Sequence, residues 1–199
     1  MDGSIAALLV AVLSYLLGSI PFGVIVTRFG GAADPRSIGS GNIGATNVLR
    51  TGRKGLAALT LVLDGGKGAA AVLLVRAFAP GFEPLAALFA FLGHLFPVWL
   101  RGVGGKGVAT MLGTALALYW PCGLIAIMVW LTATALSRYS SVGGISAAMT
   151  APVVSACFFR ADLTLVFLIF ALLVLWRHSA NIGRLLDGTE PRLARRRPA

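Results

Sequence analysis

Acidic side chains are scarce: seven Asp and Glu stand against seventeen Lys and Arg in 199 residues. Only 12% of the residues are charged, about half the share of an ordinary soluble domain, which this deficit excludes. The two cysteines, Cys122 and Cys157, each lie inside an apolar run. They read as small core residues and exclude both a disulfide framework and a Cys-based zinc site. No Cys/His cluster has metal-ligand spacing, so neither a metal nor a cofactor is expected. No G-x-S-x-G elbow occurs. An H-x-x-x-x-D pair is also missing, because Trp99 and Gly183 occupy the fifth position after His94 and His178. A basic n-region is lacking too: Met1-Asp2-Gly3 precedes the first apolar run and Arg28 follows it. A retained first helix with an outside N-terminus is therefore expected, not a cleaved signal peptide. No polar linker divides the chain, so one domain over residues 1–199 is expected.

What the chain has is apolar length. It is 57% hydrophobic, with a mean hydropathy of +0.87. Residues 4–27 carry no charge, enough to cross about 30 Å of hydrocarbon as a helix. Further spans are expected at 56–75, 85–100, 142–159 and 163–176. The uncharged stretch 108–137 is long for one crossing and short for two. Tyr119-Trp120-Pro121 in its middle favours a membrane interface and a break.

Charge decides the count. With 108–137 read as two helices, the segments 29–55, 101–107, 137–142 and 177–199 share one face. Fourteen of the seventeen Lys and Arg, with Arg28 and Arg177 at helix ends, then lie on that face. Read as one helix, the same stretch places the Arg-rich tail outside, against the positive-inside rule. The expectation is an all-α integral membrane protein with seven transmembrane helices. Its N-terminus lies outside, its C-terminus in the cytoplasm, and those four segments are cytoplasmic. The surplus positive charge then points to lipid head groups and anionic substrates, not to nucleic acid.

Three cytoplasmic stretches carry chemistry. The first is Gly39-Ser40-Gly41-Asn42-Ile43-Gly44-Ala45-Thr46-Asn47-Val48-Leu49-Arg50. Its glycines let backbone N–H groups approach a ligand, its Ser, Thr and Asn add neutral donors, and Arg50 offers a fork suited to phosphate. Residues 42–50 are expected to form a short helix with its N-terminus towards the glycine turn. The letters fit G-x-G-x-x-G, but no strand precedes them, so a dinucleotide fold is rejected. The plain alternative is a flexible membrane loop.

The second is Gly102-Val103-Gly104-Gly105-Lys106-Gly107, leading into a helix. Lys106 places a point charge at that helix's start. It is not a Walker A loop, because Gly107 follows the lysine. A topogenic lysine in a glycine turn is the alternative. The third is Arg177-His178-Ser179-Ala180-Asn181-Ile182-Gly183-Arg184, followed by Gly188-Thr189-Glu190. On a continuous helix Arg177, Asn181 and Arg184 share one face. Ser141 on the 137–142 segment is placed to complete the polar site.

Within the spans, Asp64 and Lys67 lie on one face of a helix, as a structural pair or as a substrate contact. His94 reads as a core histidine. Gly65-Gly66-Lys67-Gly68 echoes Gly104-Gly105-Lys106-Gly107 but is too short to define a repeat. Acidic residues are sparse on the cytoplasmic segments, so a reaction here is expected to use an activated substrate or a base other than a dedicated carboxylate.

Together these stretches resemble the acyl-phosphate:glycerol-3-phosphate acyltransferase family of bacterial membranes. The match rests on Ser40-Gly41-Asn42-Ile43-Gly44-Ala45-Thr46-Asn47 with Arg50, on Gly104-Gly105-Lys106-Gly107, and on Arg177-His178 with Asn181, Arg184, Gly188 and Glu190. The resemblance implies acyl transfer from acyl phosphate to the sn-1 hydroxyl of glycerol 3-phosphate. Lysophosphatidic acid and phosphate are released, the first committed step of phospholipid synthesis. It implies a monomer in the inner membrane, with acyl phosphate, glycerol 3-phosphate and membrane lipid as its partners.

Ser40, Arg50, Lys106, His178 and Asn181 are the expected catalytic residues. Gly41, Asn42, Gly44, Thr46, Asn47 and Lys67 are expected to bind substrate. So are Gly104, Gly105, Gly107, Ser141, Arg184 and Glu190. The attacking hydroxyl's proton passes to His178 or to a substrate phosphate. The competing readings are a small anion transporter and a lipid phosphate transferase or phosphatase.

Overall fold

The computed structural model describes residues 2–158 and 160–193, and all regular structure among them is helical. The last residue expected in the 142–159 span and the arginines Arg195–Arg197 of the tail lie outside the described residues. The chain forms two compact units, Met1–Gly123 and Leu124–Ala199, whose boundary falls inside one helix.

In the first unit, α1 (Gly3–Ser19) and α2 (Phe22–Phe29) divide the first apolar run. The division is at Pro21, which has no N–H to continue the ladder. A four-residue helix α3 (Ala45–Val48) follows, then α4 (Lys54–Phe78) and α5 (Glu83–Leu95). The expected span to residue 100 stops short as an α-helix, since Phe96 precedes Pro97 and takes a non-helical φ of −129°; proline disfavours helix at the residue before it. The chain then turns through a 3₁₀ segment, Val98–Leu100, and enters α6 (Val108–Leu118).

The helices α1 to α6 approach at small residues. A side chain at Gly18 would overlap the Ala90 backbone, one at Gly93 the Tyr15 and Ser19 backbones, and one at Gly113 the Gly65 backbone. Lipid offers no hydrophobic push between helices, so close backbone contact carries the packing instead. The faces turned outward are apolar, as at Leu8 and Leu13, which are 65% and 63% exposed.

The stretch 108–137 does break where Tyr119 leaves helical geometry, with φ −152° and ψ 96°. Beyond it lie α7 (Trp120–Ser137), α8 (Ser140–Cys157), α9 (Ala161–Arg177) and α10 (Ser179–Leu186). In the second unit Phe167 and Phe170 pack edge-on at 6.1 Å beside buried Val174 and Leu163. Among the described residues, five helical stretches are long and apolar enough to cross a membrane, and six if α9 and α10 count as one bent span. The eleven residues of α6 reach only about 16 Å at 1.5 Å per residue.

Candidate functional site

The loop before α4 is shaped by one amide. Asn47 is 3% exposed. Its Nδ2 donates to the carbonyls of Pro35 (2.6 Å), Asn42 (2.8 Å) and Ile38 (3.1 Å), and its Oδ1 accepts from the Ser40 N–H at 3.3 Å. These bonds close the chain into a ring and leave Ser40, Gly41 and Thr46 exposed on its outer edge. Gly41 has φ +68°, a left-handed conformation that glycine adopts without strain. Asn42 bends the chain into the helix by accepting from the Gly44 N–H at 2.8 Å.

The helix expected over 42–50 is confined to Ala45–Val48, with a 3₁₀ turn at Leu49–Thr51. Asn42 serves its own backbone, so the segment cannot begin earlier. One turn carries little macrodipole, and anion binding here falls to N–H groups and side chains. Arg50 lies over Gly39, where any Cβ would meet its side chain. An open cleft of about 650 Å³ runs beside it, bounded by residues 31–33, Ile38, Gly39, Arg50, Thr51 and Arg53. Arg36 is held by Asp34 at 2.6 Å, and its hydrogen bond keeps the Asp34 carboxyl below the usual range.

The second loop folds back onto the end of α5. The Gly105 N–H donates to the His94 carbonyl at 3.1 Å. A Cβ on Gly104 would overlap that carbonyl and Pro97, one on Gly105 would overlap the His94 ring, and one on Gly107 the Phe91 ring. These glycines therefore let the loop lie flat on α5, a use that the phosphate reading of the sequence missed. Lys106 stands between them, half-buried.

Lys67 is far from such a surface position. Its ammonium lies 2.9 Å from Asp64 Oδ1, donates to the Ile20 carbonyl at 2.7 Å and sits 5.8 Å from the Phe22 ring centroid. Its side chain is 1% exposed. His94 Nδ1 approaches the same Asp64 oxygen at 3.6 Å. His94 is a core histidine, as expected, and its place beside the pair is what the sequence did not show. The signal was present, since a buried acid in a span needs every partner it can reach and His94 is a basic side chain inside an apolar helix. The echo between residues 65–68 and 104–107 is one of letters only: the first set is helical within α4 and the second is a loop.

In the second unit the polar residues converge on a carboxylate. Glu190 Oε1 accepts from Asn181 Nδ2 at 2.6 Å and Ser141 Oγ at 2.7 Å, and Oε2 accepts from Arg184 Nε at 2.7 Å. Burial by itself would raise this carboxyl, and the bonds from Asn181, Ser141 and Arg184 outweigh it, leaving it below its ordinary 4.5. Two backbone N–H groups, of Thr189 and Glu190, reach back to the Arg184 carbonyl at 2.8 and 3.1 Å. The end of the described chain is tied down by a pair of bonds between Arg138 and Leu193 and by Arg192 on Tyr139 at 3.0 Å.

The continuous helix expected through residues 177–184 is replaced by a bend of 58° between α9 and α10. His178 sits in the bend with φ −99° and ψ 7°, outside helical geometry. Arg177 therefore does not share the face of Asn181 and Arg184; it lies 5.7 Å from the Trp176 ring centroid. His178 is 4% exposed and its Nδ1 contacts the Val174 carbonyl at 2.8 Å. A carbonyl oxygen only accepts, so Nδ1 carries the hydrogen and, in the neutral ring, the lone pair is on Nε2.

The residues expected to act thus fall into four groups. Ser40 to Arg50 share one loop, Gly104 to Gly107 another, and Lys67 is in the core of the first unit. Ser141, Asn181, Arg184 and Glu190 are bonded together in the second unit, close in sequence to His178.

A helical chain with several membrane-crossing lengths defines a multi-pass integral membrane protein. The glycerol-3-phosphate acyltransferase family model matches residues 8–188, and the chain belongs to that family. It is 59% identical over 197 residues to the glycerol-3-phosphate acyltransferase of Novosphingobium aromaticivorans, covering 99% of this chain and 100% of that one. The Maricaulis maris enzyme of the same name is 50% identical, over 97% of this chain and 90% of its own. Crystal structures of PlsY (YgiH), an integral membrane glycerol 3-phosphate acyltransferase, superpose well. The glycerol 3-phosphate form gives a TM-score of 0.89 at 35% identity, over 95% of this chain and 96% of that one. The lysophosphatidic acid form gives 0.87 at 34%, with the same coverage.

Proposed function

We propose that this membrane acyltransferase moves a fatty acyl group from acyl phosphate to the sn-1 hydroxyl of glycerol 3-phosphate. The hydroxyl oxygen bonds to the acyl carbon, the bond from that carbon to the phosphate oxygen breaks, and lysophosphatidic acid and inorganic phosphate leave. The observation that carries this reading is the chemistry of the loops. They supply N–H groups, hydroxyls, amides, Lys106 and Arg50, while Glu190 already accepts three hydrogen bonds and Asp34 is held by Arg36. Such a set grips phosphate and stabilises an oxyanion, and it suits a donor whose leaving group needs little help.

Ser40, Gly41, Asn42, Gly44 and Thr46 cradle the acyl phosphate, with Asn47 holding the loop in shape. Lys106 and Arg50 balance phosphate charge, and the loop residues Gly104, Gly105 and Gly107 present the lysine. Asn181 and Arg184, organised by Glu190 and Ser141, orient glycerol 3-phosphate. His178 takes the hydroxyl proton on Nε2, a role that the Nδ1 contact with Val174 supports. Lys67, held by Asp64 and the Ile20 carbonyl, acts from the core without touching substrate. Seven crossings, with α6 and α7 as separate short ones, put the N-terminus outside. They place the segments 29–55, 101–107, 137–142 and 177–199 on the cytoplasmic side of the bacterial inner membrane. The protein acts as a monomer, without metal or cofactor.

The test is a donor panel. Purified protein with glycerol 3-phosphate is given palmitoyl phosphate, palmitoyl-CoA or palmitoyl acyl carrier protein. Lysophosphatidic acid should form with palmitoyl phosphate alone. Product from either thioester and none from the acyl phosphate refutes the donor assignment.

A further inference from the structure

The first unit buries an acid, a histidine and a lysine, none of them on a substrate loop. Asp64 is 1% exposed, His94 3% and Lys67 4%. Charges at such depth are retained only when paired, and they hold their neighbours firmly. Here each one touches a different part of the unit. Lys67 donates to the carbonyl of Ile20, beside the break between α1 and α2. The Asp64 carbonyl accepts from Thr110 Oγ1 of α6 at 3.0 Å, and its carboxylate faces Lys67 at 2.9 Å and His94 Nδ1 at 3.6 Å. The far edge of the His94 ring, at Nε2, lies where a Cβ of Gly105 would stand. The His94 carbonyl receives the Gly105 N–H. Gly105 is the residue immediately before Lys106.

We propose that Asp64 and His94 are positioning residues of the acyl transfer: the Asp64–His94 link, anchored by Lys67, sets the floor on which Gly105 rests and so sets where Lys106 stands. The inference rests on the functional reading above. A side chain that touches no substrate then governs a lysine that does, through one ring and one glycine. A cation displaced by an ångström from a phosphate loses a large part of its effect on the barrier.

The experiment uses the full chain with palmitoyl phosphate and glycerol 3-phosphate, and compares wild type, Asp64→Asn, His94→Gln, Lys106→Ala and the double variants. The two positioning variants should lower kcat/KM at least tenfold in folded protein. In the Lys106→Ala background the same changes should lower the residual rate less than twofold, because the lysine they act through is gone. Tenfold losses in both backgrounds, or full kcat/KM in the folded single variants, overturn the proposal. Gly105→Ala, which lifts the loop from the ring, replaces any single variant that fails to fold and should show the same coupling.

A second readout needs no turnover. With Cys157→Ser in place, the alkylation rate of Lys106→Cys by a water-soluble maleimide should change at least threefold when Asp64→Asn is added. An unchanged rate overturns the proposal. Wild type that makes no product while this rate shifts defeats the functional reading alone, and normal turnover with uncoupled variants defeats the inference alone.

Discussion

Replacing Glu190 by glutamine keeps the side chain's shape and removes its charge. The two buried bonds to Oε1, from Ser141 and Asn181, become bonds to a neutral carbonyl. A bond to a charged group contributes about 1.5–3 kcal/mol and a neutral one about 1 kcal/mol, so each loses roughly 1 kcal/mol. The new amide N–H₂ faces Arg184 Nε, and two donors cannot bond. That ion pair contributes little by itself, since the Arg184 side chain is 36% exposed and solvent screens it to about 0–1 kcal/mol. The sum is about 2–3 kcal/mol, or roughly 4–12 °C in melting temperature for a chain of this size.

The assay is thermal unfolding of the purified protein in detergent across a pH series. The native Glu190 carboxyl lies below its ordinary 4.5, so its contribution is fully present above that value. The contribution disappears as pH falls through the lowered native value. The gap between wild type and Glu190→Gln should therefore be full at pH 7 and close on acidification below about pH 4.5. Equal melting temperatures at pH 7, or a gap that persists unchanged into acid, refutes the placement of three donors on this carboxylate.

Other substitutions separate stability from turnover. Lys67→Met leaves Asp64 without its ammonium in a dry site and should cost about 3–5 kcal/mol, read as a fall in melting temperature. Asp64→Leu with Lys67→Met should recover most of that loss without recovering activity. Ser40→Ala, at an exposed position, should shift stability by less than about 0.5 kcal/mol and slow turnover about a hundredfold in an assay of phosphate release. His178→Ala should lower kcat by about 10²–10⁴-fold. Gly113→Leu should prevent α4 and α6 from meeting, seen as loss of a monodisperse folded species on size exclusion.

Much of this was readable before any coordinates, because membrane physics constrains a sequence tightly. A run of twenty apolar residues has few fates, and the break at Tyr119-Trp120-Pro121 and the five longest helices followed from that. The groups of donors were legible for the same reason, since polar residues between spans stand out. What stayed hidden depended on who bonds to whom. Asn47 carries the same amide as Asn42 and Asn181, and only the fold makes it the centre of a loop. Gly104, Gly105 and Gly107 suggested phosphate binding, and the fold adds a packing reason for their small size, α5 directly beneath them. The bend at His178 had no proline to announce it. Glu190 sat in a polar tail, and its three donors stand 6, 9 and 49 residues away.

Sided thiol labelling tests the account at its root, the requirement that the loop of Ser40 and the stretch around His178 open to the same compartment. Single cysteines at the exposed positions Ser40 and Ser179 are introduced with Cys157→Ser and treated with a membrane-impermeant maleimide. Both should react in inside-out vesicles and neither in right-side-out vesicles. Reaction of the two from opposite sides would contradict the account.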